Sequence, residues 1–220
     1  MVKGTQVALL SFVAVLAAGP VSAQGFEGVV TYQVNGNGGQ SMEMAMTVKG
    51  GKLRTDMNGG GHQMAMILDV DAGKTTMIMP EQKMYMTHDI TQFHPADSTP
   101  PKITPLGTTE TIAGHTCDDF LAVDSKGEKT QFCNAKGLGF FMMPRGPMGR
   151  GPASDVAALN APSFRQYFKD GFFPLRVSNP DTKKVMMEAT KIEPKSIDAS
   201  TFEVPAGFME MKMPNMGPRP

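Results

Sequence analysis

Two cysteines, Cys117 and Cys133, are the residues whose type and spacing most directly indicate covalent chemistry, and the chain has no others. They lie at nearly opposite positions of a predicted hairpin whose strands span residues 116–123 and 128–134. An even cysteine count favours a disulfide in an exported chain, and the N-terminus of this chain predicts export. Closing this loop would contribute roughly 3 kcal/mol in the chain-entropy model. We therefore predict a structural disulfide. A free or metal-bound pair and a redox-active pair are the alternatives.

Methionine is the second residue type that could do chemistry, with 20 residues in a chain of 220 that has no tryptophan. Unbranched thioether side chains adapt to irregular apolar ligands, and thioether sulfur is also a ligand that selects Cu(I). From residue 42 to residue 86 the methionines recur at alternate positions of short segments separated by turns. A period of two predicts that they share one face of a β-meander.

Four two-residue turns, at residues 50–51, 60–61, 71–72 and 81–82, determine the register of the predicted strands. With these turns the apolar faces of five consecutive strands coincide, whereas a shift of one residue would move methionines to the other face. The methionines then form two adjacent rows across the sheet. The first row contains Met44, Met57, Met64, Met79 and Met84, and the second contains Met46, Thr55, Met66, Met77 and Met86.

A third apolar row is predicted beside these two, and the first strand extends all of them. The third row contains Val48, Leu53, Leu68, Thr75 and His88, and the first strand contributes Val30 and Tyr32. The opposite face of the meander is expected to be mostly solvated, because antiparallel sheets commonly have one face in water. That face carries Glu43, Thr47, Gln63, Asp69 and Thr76.

Three interpretations of the methionine rows remain open. The side chains can fill a hydrophobic core, and in a half-barrel the same inner face can also line a cavity for an apolar ligand. They can alternatively bind Cu(I), because neighbouring strands place Cβ atoms ~5 Å apart. The even spread of the methionines over five strands argues against a metal, so we predict no metal ligand and no cofactor. The predicted ligand-lining residues are Met44, Met46, Met57, Met64, Met66, Met77, Met79, Met84 and Met86.

The rest of the chain predicts one β-rich domain spanning residues 24–213. A helical segment is predicted to begin at Pro162 and to end before Gly171. The Gly/Pro-rich segment 144–152 is predicted to be a mobile loop, and residues 214–220 a disordered tail. The fold class is therefore mainly β: an antiparallel meander in a half-barrel or a sandwich, with one short helical segment. Further strands are predicted from near residue 108, and at residues 173–177, 183–192 and 208–213.

The first 23 residues predict a cleavable signal peptide. An apolar run of about 12 residues follows Lys3, and Val21-Ser22-Ala23 is a small-residue cleavage site. The run is too short to cross a bilayer of ~30 Å, which requires ~20 helical residues, so no transmembrane anchor is predicted in the mature chain. Cleavage after Ala23 removes Lys3 and no acidic residue, so 20 of the 21 basic and all 21 acidic side chains remain. This balance argues against a nucleic-acid partner. We predict a periplasmic or secreted protein.

Four segments of the chain resemble the family of domains of unknown function numbered 4412, which occurs in secreted bacterial proteins. They are FEGVVTY at residues 26–32, IAGHTC at 112–117, GFFPL at 171–175, and IEP, ID and FEVPAG within 192–207. The family is similar to the LolA-like lipoprotein carriers. In those carriers an incomplete antiparallel barrel with a helical lid holds acyl chains. The resemblance therefore implies that the meander forms an incomplete half-barrel with the short helical segment as lid, and it favours an apolar ligand. It supplies no catalytic residue, and likeness of fold alone is an associational argument for function.

The sequence therefore predicts an exported binding module for a lipid or another apolar ligand. The alternatives are a Cu(I)-binding envelope protein that uses the clustered methionines, and a non-catalytic structural or interaction domain whose inner face is filled. No nucleophile elbow, phosphate-binding loop or dinucleotide fingerprint is present. No catalytic residue is predicted.

Overall fold

The computed structural model describes residues 25–36, 39, 41–59, 62–89, 99–139, 141, 162–169 and 171–211. The signal peptide, the 144–152 loop and the 214–220 tail predicted above lie outside these ranges. Within them the chain forms one helix, α1 (Pro162–Phe168), between the ninth and tenth strands, and a 3₁₀ turn over Ala199–Phe202. The strands are β1 (Gly28–Asn35), β2 (Ser41–Lys49), β3 (Lys52–Gly59), β4 (His62–Asp69), β5 (Lys74–Met79), β6 (Met84–Asp89), β7 (Lys102–Ile112), β8 (His115–Val123), β9 (Lys129–Ala135), β10 (Phe173–Asn179), β11 (Lys184–Pro194) and β12 (Met209–Glu210).

All twelve strands belong to one sheet, in the order β12-β6-β5-β4-β3-β2-β1-β11-β10-β9-β8-β7. Neighbouring strands are antiparallel except β12 and β6, which pair in parallel. The two end strands, β12 and β7, do not pair with each other, so the sheet is open. The predicted fold class is confirmed: mainly β, a meander followed by a second antiparallel half, with a short helix that begins at Pro162.

The strands from β2 to β6 have the predicted registers. The methionine rows contain the pairs Met46–Thr55, Thr55–Met66, Met57–Met64, Met66–Met77, Met77–Met86 and Met79–Met84. The third row runs continuously from Val48 through Leu53, Leu68 and Thr75 to His88. β1 extends the rows, because Val30 lies opposite Met46 and Tyr32 opposite Met44. Two ladders end at Ala45–Asp56 and Ala65–Ile78, one position before the predicted pairs Met44–Met57 and Met64–Met79.

The main hydrophobic core contains residues of the methionine-bearing face and continues to the second half of the sheet. Tyr32 is fully buried in it, with its ring against Phe141 and Phe173. The Tyr32 hydroxyl donates a hydrogen bond to the carbonyl oxygen of Pro174 at 3.1 Å. Burial raises the pKa of Tyr32 well above its ordinary value. β1 is therefore tied to β10, 142 residues away in the chain, by both packing and a hydrogen bond.

Helix α1 covers the β8–β9 part of the sheet. Its two buried phenylalanines, Phe164 and Phe168, contact Phe172, and Phe168 also packs on Phe120 of β8 and Phe132 of β9. The ring contacts of the helix are therefore not with β3–β6, which carry most of the methionine rows. The chain turns into β10 at Gly171, where φ is +136° and an added Cβ would lie 2.8 Å from the carbonyl oxygen of Gly139. Only glycine fits this approach without a shift of the backbone.

The opposite face of the meander is covered in part, which corrects the expectation that it would be mostly solvated. Successive side chains of a strand point to opposite faces, so Ala65 and Ile67 lie on the face opposite Met64 and Met66. Apolar residues at consecutive positions of β4 are typical of a strand buried on both faces. Buried on this second face are Ala65, Ile67, Ile78, Ile197 and Phe202, with Val29, Tyr85, Val204 and Phe208 packed against them.

Residues 195–211, which we call the C-terminal strap, supply this cover. The strap begins at an anchor formed by Glu27, whose carboxylate accepts hydrogen bonds from the Ile197 amide (2.5 Å) and from Lys49 Nζ (3.0 Å). Lys49 also donates to the carbonyl oxygen of Ile197. The amide of Lys195 donates to the carbonyl oxygen of Glu27 at 3.1 Å. The carboxylate of Glu27, the residue before β1, thus contacts a segment 170 residues later in the chain.

The strap continues across β3 and ends on β6. Arg54 of β3 donates a hydrogen bond to the carbonyl oxygen of Thr201 at 2.9 Å. At the edge of the sheet the amide of Met209 donates to the carbonyl oxygen of Lys83 (2.9 Å), and that of Met211 to Tyr85 (2.7 Å). These two bonds pair β12 with β6, so the strap covers an edge that would otherwise present free backbone groups.

Acidification is predicted to release the start of the strap. The hydrogen bonds from Ile197 and Lys49 lower the pKa of Glu27 below its ordinary value of 4.5. A carboxyl group with a lowered pKa in the folded state contributes stability that is complete above its unfolded pKa and is lost as the pH falls through the folded value. We expect the protection of the Ile197 amide against hydrogen exchange, relative to its intrinsic rate at each pH, to fall progressively below about pH 4.5.

Substitution of Glu27 provides the control for this experiment. Glu27→Gln should lower the protection of the Ile197 amide at neutral pH and remove most of its dependence on acid. Glu128→Gln changes an exposed carboxyl group between β8 and β9 and should leave the profile as in the unchanged protein. Equal pH profiles for the unchanged protein and Glu27→Gln would contradict the anchor.

Candidate functional site

The nine predicted ligand-lining methionines divide into two groups by burial. Met44, Met46 and Met66 are buried, and Met46 has only 1% of its surface exposed. The other six are half-buried and lie on β3–β6; we call them the methionine patch. The patch consists of Met57, Met64, Met77, Met79, Met84 and Met86. It is the part of the predicted lining that remains accessible from outside.

The order of the strands accounts for this division. β2 lies beside β1, near the middle of the sheet, whereas β5 and β6 lie near its end. Met44 and Met46 of β2 accordingly belong to the main core, as do Val48, Leu53 and Leu68 of the third row. None of the patch methionines belongs to either buried cluster. Each methionine row is therefore part of the core at its β2 end and is accessible at its β6 end.

The strap adds a methionine that the predicted rows do not include. Met209 lies opposite Met84 in the parallel pair of β12 and β6, and 67% of its surface is exposed. Residues in register on neighbouring strands share a face of the sheet, so Met209 extends the first row at its outer end. The sequence predicted a strand over residues 208–213. Its pairing with β6 depends on the path of the strap, which no local pattern specifies.

A pocket of about 390 Å³ lies at the end of the third row, and we call it the turn pocket. Val48 and Leu53 form part of its wall, together with Phe26, Val70 and the turns after β2 and β4. The Val70 amide donates to the carbonyl oxygen of Gly51 at 3.0 Å, which holds these two turns together. None of the nine predicted methionines lines this pocket. The sequence placed Val48 and Leu53 on the correct face but gave no signal that Phe26 would join them.

The predicted disulfide between Cys117 and Cys133 is present, with an S–S distance of 2.07 Å and a Cα–Cα distance of 5.3 Å. The two residues are not directly opposite: Cys117 pairs with Ala135, and Cys133 pairs with Asp119. They are diagonal neighbours on one face of the β8–β9 hairpin, within reach of each other. Both are buried, and the described residues contain no free cysteine.

An ion chain lies on the same face as the disulfide. Glu110 is opposite Cys117 and Arg176 is opposite Cys133 in their ladders, so all four side chains share this face. Arg176 donates to Glu110 at 2.5 Å and to Glu188 at 2.6 Å. The arginine thereby connects β7, β10 and β11 across the disulfide-bonded hairpin. This arrangement fits a structural bridge.

Two further properties bear on what the site can do. Within the described ranges, no three His, Cys, Asp or Glu side chains converge in a way that could hold a metal ion. No helix among the described residues is long and apolar enough to cross a membrane. The methionine patch offers adaptable apolar contact by thioether groups.

Comparison with known proteins gives a family and a fold. The sequence model of a family described as "Domain of unknown function (DUF4412)" matches residues 26–208. No curated protein matches the chain.

The solved structures that are similar to this one include an uncharacterized protein and MucB. An uncharacterized conserved protein from Thermus thermophilus is similar with a TM-score of 0.51 and 6% identity, over 86% of this chain and 91% of that chain. MucB is similar with a TM-score of 0.36 and 13% identity, over 84% of this chain and 57% of that chain. The likeness to the Thermus protein concerns the fold alone. The resemblance to LolA-like carriers stays a prediction.

Limited oxidation is predicted to separate the methionines by their exposure. Oxidation of a thioether to the sulfoxide depends on access of the oxidant, so a low dose of hydrogen peroxide should modify Met209 before the patch. Met44, Met46 and Met187, which are buried, should react several-fold more slowly. Peptide mapping by mass spectrometry measures each rate. In urea-unfolded protein the rates should become equal, and oxidation of Met46 as fast as Met84 in the folded protein would contradict the division.

Proposed function

Since this chain belongs to the family described as a domain of unknown function, DUF4412, we propose its function from its own residues: it is an exported module that binds a lipid or another apolar ligand at the methionine patch. The observation that carries the proposal is the methionine patch itself, six half-buried thioether side chains on one face of four neighbouring strands. Contiguous exposed apolar surface of this kind is typical of binding sites.

The chemistry of the side chain supports an apolar ligand of irregular shape. Methionine is unbranched and has three rotatable side-chain bonds, so neighbouring methionines re-pack around a guest at little cost. Burying apolar surface contributes about 25 cal/mol per Å². The patch has no charged member, and its buried side is continuous with the core residues of the same rows. A ligand that covers it would therefore extend the core outward.

The turn pocket supports a ligand that is longer than the patch. Val48 and Leu53, which line the pocket, lie in the third row beside the two methionine rows. Pockets of about 300 Å³ or more with mostly apolar walls are typical sites for small molecules. Its polar member, Asp71, is exposed at the turn after β4. In this proposal an apolar chain lies on the methionine face and one end reaches toward the pocket.

Export is supported by the N-terminal sequence and by the disulfide. Residues 1–23 have the pattern of a signal peptide cleaved after Ala23. A buried disulfide is typical of proteins from oxidising compartments such as the bacterial periplasm. We propose a periplasmic or secreted location, where an apolar ligand requires a carrier to cross water.

Fluorescent fatty-acid binding tests the proposal. Titration with cis-parinaric acid should give saturable fluorescence enhancement. The double substitution Met79→Gln and Met84→Gln removes apolar contact from one cross-strand pair and should raise Kd roughly tenfold, because partial burial of two such side chains contributes about 1–2 kcal/mol. Native mass spectrometry of protein purified from its own compartment should show co-purifying lipid.

Met186→Gln is the matched control, since Met186 is half-buried on β11, and β1 and β2 separate that strand from β3–β6, which carry the patch. This substitution should leave Kd unchanged. A lack of fluorescence enhancement with the unchanged protein, or an equal loss in Met186→Gln, would contradict the proposed site.

Cu(I) binding is the alternative that the opposed methionine pairs favour. Met79 lies opposite Met84 and Met77 opposite Met86, and directly opposed residues have Cβ atoms about 5 Å apart. Anaerobic titration of Cu(I) against a competing chelator separates the two functions. Under our proposal the protein does not compete with the chelator, whereas a copper protein would compete and would lose this ability in Met79→Gln/Met84→Gln.

A further inference from the structure

A second pocket lies at the other end of the sheet, where β7 departs from β8. The β7–β8 ladder shifts between Pro105 and Thr109, and Gly107 in this bulge has a φ of +73°. Bulges re-aim side chains and are enriched beside functional sites. Residues of the bulge, β8 and α1 line a surface pocket of about 370 Å³, which we call the bulge pocket. It is distinct from the methionine patch, because β7 and β8 are at the opposite end of the strand order from β5 and β6.

The bulge pocket contains a buried carboxylate with a free oxygen. Asp119 is only 5% exposed and lines the pocket. Its Oδ2 accepts a hydrogen bond from the Thr108 hydroxyl at 2.8 Å. Among the described residues no buried side-chain nitrogen or oxygen lacks a hydrogen-bond partner. No hydrogen-bond partner is described for Oδ1 of Asp119, and the pocket that Asp119 lines is where a ligand would meet it.

The charges of the pocket leave one negative charge in excess. Asp118 and Asp119 are its carboxylates and Lys136 its ammonium group. Lys136 Nζ lies 3.0 Å from Asp118 Oδ2, and Asp118 Oδ1 accepts from the Thr109 hydroxyl at 3.2 Å. Lys136 is thus engaged by Asp118, while the hydrogen-bond partner described for Asp119 is a neutral hydroxyl. Burying a charge is costly unless it is paired, so a cation would complete this site.

Two aromatic residues, Phe120 and Tyr167, line the pocket on the side of α1, whereas Asp119 lines it where the β7–β8 ladder is interrupted. The ring centroids of Phe120 and Tyr167 are 5.8 Å apart with an interplanar angle of 59°. Tyr167 is 37% exposed, and Leu106 in the bulge is 41% exposed, although both are large apolar side chains. An ammonium group within about 6 Å of an aromatic face is attracted by the ring. The exposed ring of Tyr167 also offers contact area to an apolar stem.

We propose that the bulge pocket binds a small organic cation, a protonated amine on an aromatic or short apolar stem. The ammonium group donates to Asp119 Oδ1, and the stem packs against Phe120 and Tyr167. The volume is at the lower end of the range for small-molecule sites, about 300–1,000 Å³, which limits the ligand to a compact molecule. The site is independent of the proposed apolar ligand, so either proposal can fail without the other.

Binding of phenethylamine tests this site against its neutral counterpart, 2-phenylethanol, which has the same shape without the charge. Two-dimensional NMR titration of the full mature chain should show saturable shifts at Thr108, Asp119 and Tyr167 with the amine. We expect the amine to bind at least tenfold more tightly than the alcohol. Asp119→Asn keeps an acceptor for Thr108 and removes the charge, so it should reduce this preference to about twofold or less.

Asp181→Asn is the matched control, because it neutralises an exposed carboxylate that pairs with Lys129 at 2.9 Å, outside the pocket. It should leave the preference for the amine unchanged. If Asp119→Asn lowers the melting temperature too far for titration, Tyr167→Ala at an exposed position should instead weaken amine binding at least threefold. Equal affinity for amine and alcohol, shifts elsewhere in the protein, or an unchanged preference in Asp119→Asn would overturn the proposal.

Discussion

The rest of the structure depends on the unbroken register of β1–β6. Side chains of a strand alternate between faces, so each hairpin either preserves or reverses the assignment of every residue that follows. The ladders from β2 to β6 preserve it, which sets Met57, Met66, Met77 and Met84 on one face and Ala65, Ile67 and Ile78 on the other. The alternation of side chains along these strands therefore gives the meander two apolar faces, and different segments of the chain pack on each face. A shift at one turn would mix thioethers into the cluster under the strap and leave aliphatic residues in the methionine rows.

The two faces of the meander are covered by different segments. On one face, Phe141, Phe173 and the β10 backbone enclose Tyr32 and the β2 methionines. On the other, Ile197 and Phe202 of the strap cover β4 and β5, and Glu27 anchors that segment at its start. The strap packs on the face opposite the methionine rows and pairs with the edge of β6. The methionine patch lies on the other face of the same strands and is accessible there. Hydrogen-bonded strands therefore carry side chains that can adapt to a ligand.

In the second half of the sheet, the register between neighbouring strands is interrupted at several positions. The β10 ladders shift at two places, and β7 departs from β8 between Pro105 and Thr109. Aromatic packing around Phe120, Phe132 and Phe168, the disulfide and the Arg176 ion chain hold this half together. These longer-range contacts stabilise strands whose ladders are broken. The bulge pocket, which both Asp119 and Tyr167 line, lies where β7 departs from β8.

The sequence by itself determined the strands of the meander, their registers, the helix from Pro162 and the disulfide, because each follows from alternation, turn length or a unique pair of residues. It could not determine which methionines are core and which are surface, since burial depends on what lies above a strand. The pairing of Met209 with Met84, the entry of Phe26 into the turn pocket and the burial of Ile67 under Phe202 were all decided by tertiary structure. The contact of Ile197 with Glu27 spans 170 residues. Local patterns specify a face of a strand, but only the folded chain brings distant segments close enough to cover it.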